Sequence, residues 1–249
     1  MPNVMPSSSS TVQADSPRVD RPLNRGYAPY MLSSDHLVML PYMPDHKDVL
    51  HAEIFKNPDV MKYFGEGKAY SFEEYMPIHT RRLQKNLSPQ FNPHTGCLLE
   101  FTWTIITKHG IAGRFNIFTT GNRIELAFGV CPTQGGRHLA RRAGDLLIAY
   151  AGEETPFIAT AHPQNIGSSK SLEQIRYPNG AFVFHRDPDR QNVPNKYGIQ
   201  QPRDYFLSQP QNRFSFFSFK RGRVDIILDA DGLHAQDPHF HEATRKIIS

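Results

Sequence analysis

The chain has 249 residues, 39 % of them hydrophobic, with 20 prolines, a formal net charge of +4 and no repeating period, which suits one elaborated domain or one domain with appendages and excludes collagen-like and coiled-coil architectures. Its longest apolar run, Leu146 to Ala151, is far short of the about 20 residues a bilayer span needs, and 28 basic against 24 acidic residues form no concentrated basic stripe, so neither a membrane nor a nucleic-acid partner is expected. Two cysteines, Cys97 and Cys131, cannot build a disulfide framework and point to a reducing cytoplasm; no metal-ligand set is expected among the 12 scattered histidines.

Residues 1–29, with the run Ser7 to Ser10 and almost no periodic apolar residue, read as a disordered arm that cannot offset its ordering entropy. Leu37 to Leu40 reads as a short strand. Pro44-Asp45 opens a helix whose apolar residues Val49, Ala52, Ile54 and Phe55 fall near helical spacing, and Asn57-Pro58 stops it. A second helix is predicted over Phe72 to Asn86, begun by the capping-box pair Ser71 and Glu74. Three strands follow as an antiparallel meander: Phe101 to Thr107, Ile111 to Thr119 and Ile124 to Val130, separated by turns at Lys108-His109-Gly110 and Gly121-Asn122.

After Pro132 a glycine-containing loop leads into a helix over Leu139 to Ala151, with Ala143, Leu146, Leu147 and Tyr150 on one face, and then into a strand at Phe157 to Ala161. A strand–helix–strand unit of this length pairs in parallel, so the sheet must be mixed. Asn165 to Gln174 reads as a short helix and Ala181 to His185 as a strand. The stretch 187–211, rich in Pro, Gln and Asn, reads as a long loop insertion. Phe214 to Phe219 reads as a last, aromatic strand, and 223–249 as a C-terminal extension.

The loop between the strand at Ile124 and the helix at Leu139 carries the chemistry. Backbone N–H groups of a glycine-containing loop at a helix N-terminus, with the helix dipole and the nearby Arg137, Arg141 and Arg142, suit a pyrophosphate; the same residues also suit a solvated turn. Cys131, beside this loop, reads as a small buried hydrophobe rather than a reactive thiol.

Four segments, in this order, resemble the GCN5-related N-acetyltransferases, and within them the branch that acetylates N-terminal amines of ribosomal proteins and related small amines. They are Leu37 to His46, Asn57-Pro58-Asp59-Val60-Met61-Lys62-Tyr63-Phe64, Asn122-Arg123-Ile124-Glu125-Leu126-Ala127-Phe128-Gly129-Val130, and Pro163 to Gln174. The second is the most specific, and together they span about residues 35 to 180. The resemblance implies an α+β fold over 30–222: a mixed, mostly antiparallel sheet of six to seven strands flanked by about four helices, with its fourth and fifth strands splayed. It implies acetyl-CoA as co-substrate, with the pantetheine arm in that splay and a primary amine as acceptor.

Residue by residue, the resemblance implies that the amides of Phe128, Gly129 and Val130 polarise the thioester carbonyl and that the diphosphate sits on Gly135, Gly136, Arg137, His138, Leu139 and Ala140. Asn165 and Ser168 match the pair that holds the arm. Glu125 stands where the family often has a carboxylate base, and Tyr177 is a candidate acid for the departing thiolate. The chain departs from the family pattern in three places. His138 stands at the loop's central glycine, or Arg137 does in an alternative register beginning at Gln134; Leu172 stands where a tyrosine is usual, and Arg176-Tyr177 where the closing helix usually reads Gly-Phe. These departures motivate a second reading, a non-catalytic or altered-ligand member of the fold that serves a partner. A homodimer, with the C-terminal extension covering or exchanging a sheet edge, is compatible with either reading.

Overall fold

Alternation of side-chain character along the central strands decides how the sheet is clad. In a computed structural model, which describes residues 31–90, 98–120, 123–152, 155–187 and 202–208, β3 (Glu100–Thr107), β4 (Gly110–Thr120) and β5 (Arg123–Val130) form the expected meander. One face of these strands presents Phe101, Trp103, Ile105, Phe115, Ile117, Ile124, Leu126 and Phe128 to the main core. The other face carries Thr102, Thr104, Arg114 and Asn116, all buried, and Glu125. A sheet polar on one face and apolar on the other usually leaves the polar face wet; here helices cover both.

Helices α4 (Leu139–Ala151) and α5 (Ile166–Gln174) pack on the apolar face, with Leu139, Ala143, Leu146, Leu147 and Leu172 in the core. On the polar face lie α1 (Lys47–Leu50), α2 (Pro58–Met61) and α3 (Phe72–Leu87), around a smaller cluster of Tyr42, Leu50, Ile54, Phe55, Met61, Tyr75 and Cys131. The capping box predicted at Ser71 is made in both directions: Ser71 Oγ accepts from the Glu74 amide at 3.2 Å and Glu74 Oε2 accepts from the Ser71 amide at 2.8 Å. Such a cap stabilises a helix by about 1 kcal/mol.

Among the described residues eight strands form one sheet in the order β1 (Leu32–Ser34), β2 (Leu37–Pro41), β3, β4, β5, β6 (Phe157–Ala161), β8 (Asp204–Ser208) and β7 (Phe184–Asp187), and every neighbouring pair is antiparallel except β5 with β6. This exceeds the expected strand count through two elements. β1 (Leu32–Ser34) closes a hairpin with β2 (Leu37–Pro41), and β8 (Asp204–Ser208) runs between β6 and β7 (Phe184–Asp187). β8 lies inside the stretch read as loop 187–211 and corrects that reading over its length. Phe206 is fully buried, a gain of about 1.5–3 kcal/mol for a phenylalanine side chain, and the Ser208 hydroxyl accepts from the Phe157 amide at 2.6 Å.

Two further readings are corrected. β7 begins three residues later than expected, because Tyr177 to Ala181 forms a tight turn with Gly180 at φ +86° and the Gly180 amide bonded to the Tyr177 carbonyl. After the 3₁₀ turn Pro44–His46 and α1, the first helical run widens into a π turn, His51–Phe55. Ile54 and Phe55 are buried as the spacing predicts, but Val49 and Ala52, expected on the same face, are exposed and Leu50 is buried in their stead. The arm 1–29, Cys97, most of 187–211, the strand expected at Phe214 to Phe219 and the extension 223–249 lie outside the described residues.

Candidate active site

The parallel ladder between β5 and β6 is short. It pairs Ile124 with Phe157, Glu125 with Ile158 and Leu126 with Ala159, while β5 continues to Val130 and β6 to Ala161. Beyond Leu126 the strands diverge, and the edge of β5 from Ala127 to Val130 is free of β6. A cavity of about 410 Å³ opens there, lined by Ala127 and Phe128 from β5, by Thr160 and Ala161 from β6, and by Asn165 and Ser168 at the start of α5. It continues under α3 on the polar face of the sheet. A gap in a parallel pair leaves backbone N–H and C=O groups in want of partners, so this edge is suited to an extended polar ligand.

Glu125 lines this cavity, half-buried. It is the one carboxylate among the described lining residues, against the four guanidiniums of Arg81, Arg82, Arg114 and Arg203. Arg203 lies just before β8, donates from Nη1 to the Tyr63 carbonyl at 3.0 Å and feels the charges of Tyr205 and Glu125; burial pulls its pKa below the ordinary arginine value. Arg203 and Tyr205 were missed by sequence reasoning because their segment reads as polar loop. Arg82 and Arg114 were missed because no periodicity marks an arginine as buried.

At the start of α5, Asn165 is the N-cap, its Oδ1 accepting from the Ser168 amide at 3.1 Å. The structure therefore brings Glu125, Phe128, Asn165 and Ser168 together around one space. Tyr177 stands apart: it is 2 % exposed, belongs to the main core and is absent from the cavity lining. Leu172, which the resemblance aligns with the family's usual tyrosine, is buried in that same core.

The loop after β5 begins with a 3₁₀ turn, Pro132–Gln134, tied to the π turn by a 3.0 Å hydrogen bond from Thr133 Oγ1 to Glu53 Oε2. Gly136 has φ +77°, and His138, the N-cap of α4, has φ 55° and ψ 28°. His138 is the one non-glycine residue in the left-handed region among the described residues. The backbone at His138 thus takes the conformation that favours glycine although the side chain is imidazole. The ring of His138 is exposed, as are Gly135, Gly136 and Arg137, so the amides that open α4 lie at an accessible turn. Gly129 follows Phe128 on β5 where a Cβ would meet Ile54 at 3.5 Å, ordinary contact.

Cys131 is fully buried in the smaller cluster, and burial with the nearby Glu53 charge pushes its thiol up to about 12, so it is a packing residue. Around Tyr42 runs a buried polar chain: its hydroxyl bonds Tyr75 Oη at 2.8 Å and His79 Nδ1 at 2.6 Å, and desolvation raises its pKa. Among the described residues no group of three or more His, Cys, Asp or Glu could hold a metal ion, and no helix is long and apolar enough to cross a membrane.

Solved structures that this fold resembles include acetyltransferases. A GNAT-family acetyltransferase from Bacillus anthracis superposes with a TM-score of 0.56 at 16 % identity, covering 73 % of this chain and 99 % of its own. The microcin C7 self-immunity acetyltransferase MccE, solved with acetyl-CoA and AMP, gives 0.56 at 13 % identity over 73 % and 97 %. The Salmonella typhimurium acetyltransferase that modifies the N-terminal serine of the 50S subunit protein L7/L12 gives 0.52 at 13 % identity over 70 % and 94 %. At these identities the likeness is one of fold. No curated protein matches the chain. The family model described as "Acetyltransferase (GNAT) domain" matches residues 36–177, more than half of the chain and the whole stretch from β2 through the divergent strands to the end of α5, so the chain belongs to the GNAT acetyltransferase family.

Proposed function

We propose that the protein transfers an acetyl group from acetyl-CoA to a primary amine by direct attack. The observation that carries this reading is the divergence of β5 and β6 after Leu126 and Ala159, with a cavity in the gap that reaches the polar face of the sheet. The pantetheine arm lies along the open edge of β5 as an added strand. The amides of Phe128 to Val130 meet the thioester carbonyl and stabilise the charge that develops on its oxygen. Asn165 has committed its Oδ1 to capping α5 and offers Nδ2 to the arm, with Ser168 beside it. The diphosphate rests on the turn from Gly135 to Ala140, where helix amides and dipole favour an anion.

Glu125 takes the proton that the amine must lose, directly or through one water. An α-amine, with a pKa of about 7.7–8, needs far less help at neutral pH than a lysine at about 10.4, so a partly solvated carboxylate suffices for the former. Tyr177, walled into the main core, packs α5 and the following turn against the sheet rather than serving as the acid.

The test is calorimetric titration with CoA and acetyl-CoA, followed by turnover of amine-dependent CoA release. Saturable binding is expected, and Glu125→Gln is expected to lower kcat about a hundredfold with CoA affinity unchanged. Absence of both heat and thermal stabilisation at millimolar acetyl-CoA removes the transferase reading; unaltered turnover in Glu125→Gln removes the base.

A further inference from the structure

Arg82 on α3 is 7 % exposed and lines the cavity, yet its Nε and Nη1 find no hydrogen-bond partner in the protein. No carboxylate among the described residues pairs with it; the nearby Glu100 is engaged by Arg81 at 3.6 Å. What the protein offers it is a ring: its guanidinium lies 4.9 Å from the centroid of Phe55, the buried last residue of the π turn. The guanidinium of Arg114, from β4, lies 4.9 Å from the same ring, and its Nη1 donates to Asn116 Oδ1 at 2.5 Å. Two cations therefore share one aromatic wall of the cavity. Arg82 does not escape its burial by losing its proton, and a buried charge that no carboxylate among the described residues pairs is costly unless something anionic completes it.

Resting on the transferase reading above, we propose that the acceptor is an amine that also bears an acidic group, a carboxylate or a phosphate, and that Arg82 with Arg114 binds this acid while the amine faces Glu125. The planar fork of Arg82 suits either acid through two parallel N–H···O bonds. The same geometry selects against polycationic amines, since among the described residues four guanidiniums line the space and Glu125 is the single carboxylate.

The probes are three small amines that share an aminoethyl group: β-alanine, O-phosphoethanolamine and ethanolamine. Each is titrated calorimetrically into the CoA-loaded protein. At least one acid-bearing amine is expected to bind about tenfold tighter than ethanolamine or better. A preference for β-alanine identifies the acid as carboxylate, and one for O-phosphoethanolamine as phosphate. Arg82→Met is expected to abolish the preference with CoA affinity unchanged, and Arg82→Lys, which keeps the charge without the fork, to reduce it. Should neither variant fold, the wild-type preference alone decides. Equal binding of the three amines, no binding by either acid-bearing amine at millimolar concentration, or a preference that survives Arg82→Met overturns the proposal. If CoA itself fails to bind, the transferase reading falls, and the same titrations of the unloaded protein still report on the arginine site.

Discussion

Leu126 and Ala159 are the last partners of the parallel ladder, and the cleft starts at the next residue of each strand. Ala127 stands half-buried on the cavity face just past this fork, so a large side chain there would occupy the gap without entering the main core. Ala127→Phe is expected to weaken CoA binding about tenfold or more while leaving the thermal midpoint nearly unchanged. Isothermal titration and a melting curve check the two halves; undiminished CoA affinity would show that the gap is not where the arm lies.

His138 pairs an unfavourable backbone with an exposed ring. Left-handed backbone is disfavoured for residues with a Cβ by about 1–2 kcal/mol, histidine being among the better tolerated. Urea unfolding is therefore expected to rank His138→Gly above His138→Ala by about 1 kcal/mol, the reverse of their order inside a helix. CoA is expected to bind more tightly to His138→Gly, because removing Cβ lets phosphate oxygens approach the turn. Weaker binding instead would mean that the imidazole itself holds the phosphate.

The elements that position the cleft were legible because each carries a local signal. The Ser71–Glu74 cap, the alternation of Ile124 to Val130 and the helical spacing from Leu139 all act through near neighbours, and their predicted bounds lie within a residue or so of the observed ones. What was illegible depends on distant coverage. Ile111 to Thr119 reads as a strand, but nothing local tells that α3 and the π turn cover the face of Arg114 and Asn116, which makes Arg114 a cavity residue. The π turn itself has no sequence signature, so Ile54 and Phe55 are placed inward correctly while Val49 and Ala52 are placed there in error and Leu50 is missed. β8 hides in polar text because five residues with a single large buried aromatic, Phe206, are too few to set a period.

His46 predicts a pH dependence of stability. It is buried beneath β3, its Nδ1 bonded to Thr104 Oγ1 at 2.7 Å and accepting from the Met43 amide at 3.2 Å. Burial lowers its pKa to about 4, only partly opposed by Asp45. Native His46 thus holds a proton less tightly than the unfolded chain. Above pH about 6.5 both states are neutral and the group has no effect; as the pH falls from there toward 4 the unfolded state takes up the proton first and stability is lost, by about 3 kcal/mol in all. Roughly 2 kcal/mol of that falls between pH 7 and pH 5. His46→Gln, which keeps an acceptor for Thr104 but no titrating group, is expected to flatten this part of the pH profile in urea unfolding. A profile unchanged by the substitution would place the titration elsewhere.

Asn86 ties α3 to the sheet. Its Nδ2 donates to the Thr102 carbonyl at 2.6 Å and its Oδ1 accepts from the Thr102 amide at 3.0 Å, both fully buried. Arg82 lies four residues earlier on the same helix face, so this clamp also sets the height of that guanidinium over the polar side of the sheet. Asn86→Ala removes both bonds and leaves the Thr102 N–H without its acceptor, an expected loss of about 2–3 kcal/mol. Asn86→Asp keeps the acceptor but turns its second oxygen toward the Thr102 carbonyl and buries a charge. It is expected to be less stable than Asn86→Ala at pH 7 and to recover toward pH 5, since the carboxyl is protonated more readily in the folded than in the unfolded state. Denaturant titrations of the three proteins at the two pH values decide the point: equal stabilities at pH 7 would mean that the helix is held by its apolar contacts alone and that Arg82 is positioned without the clamp.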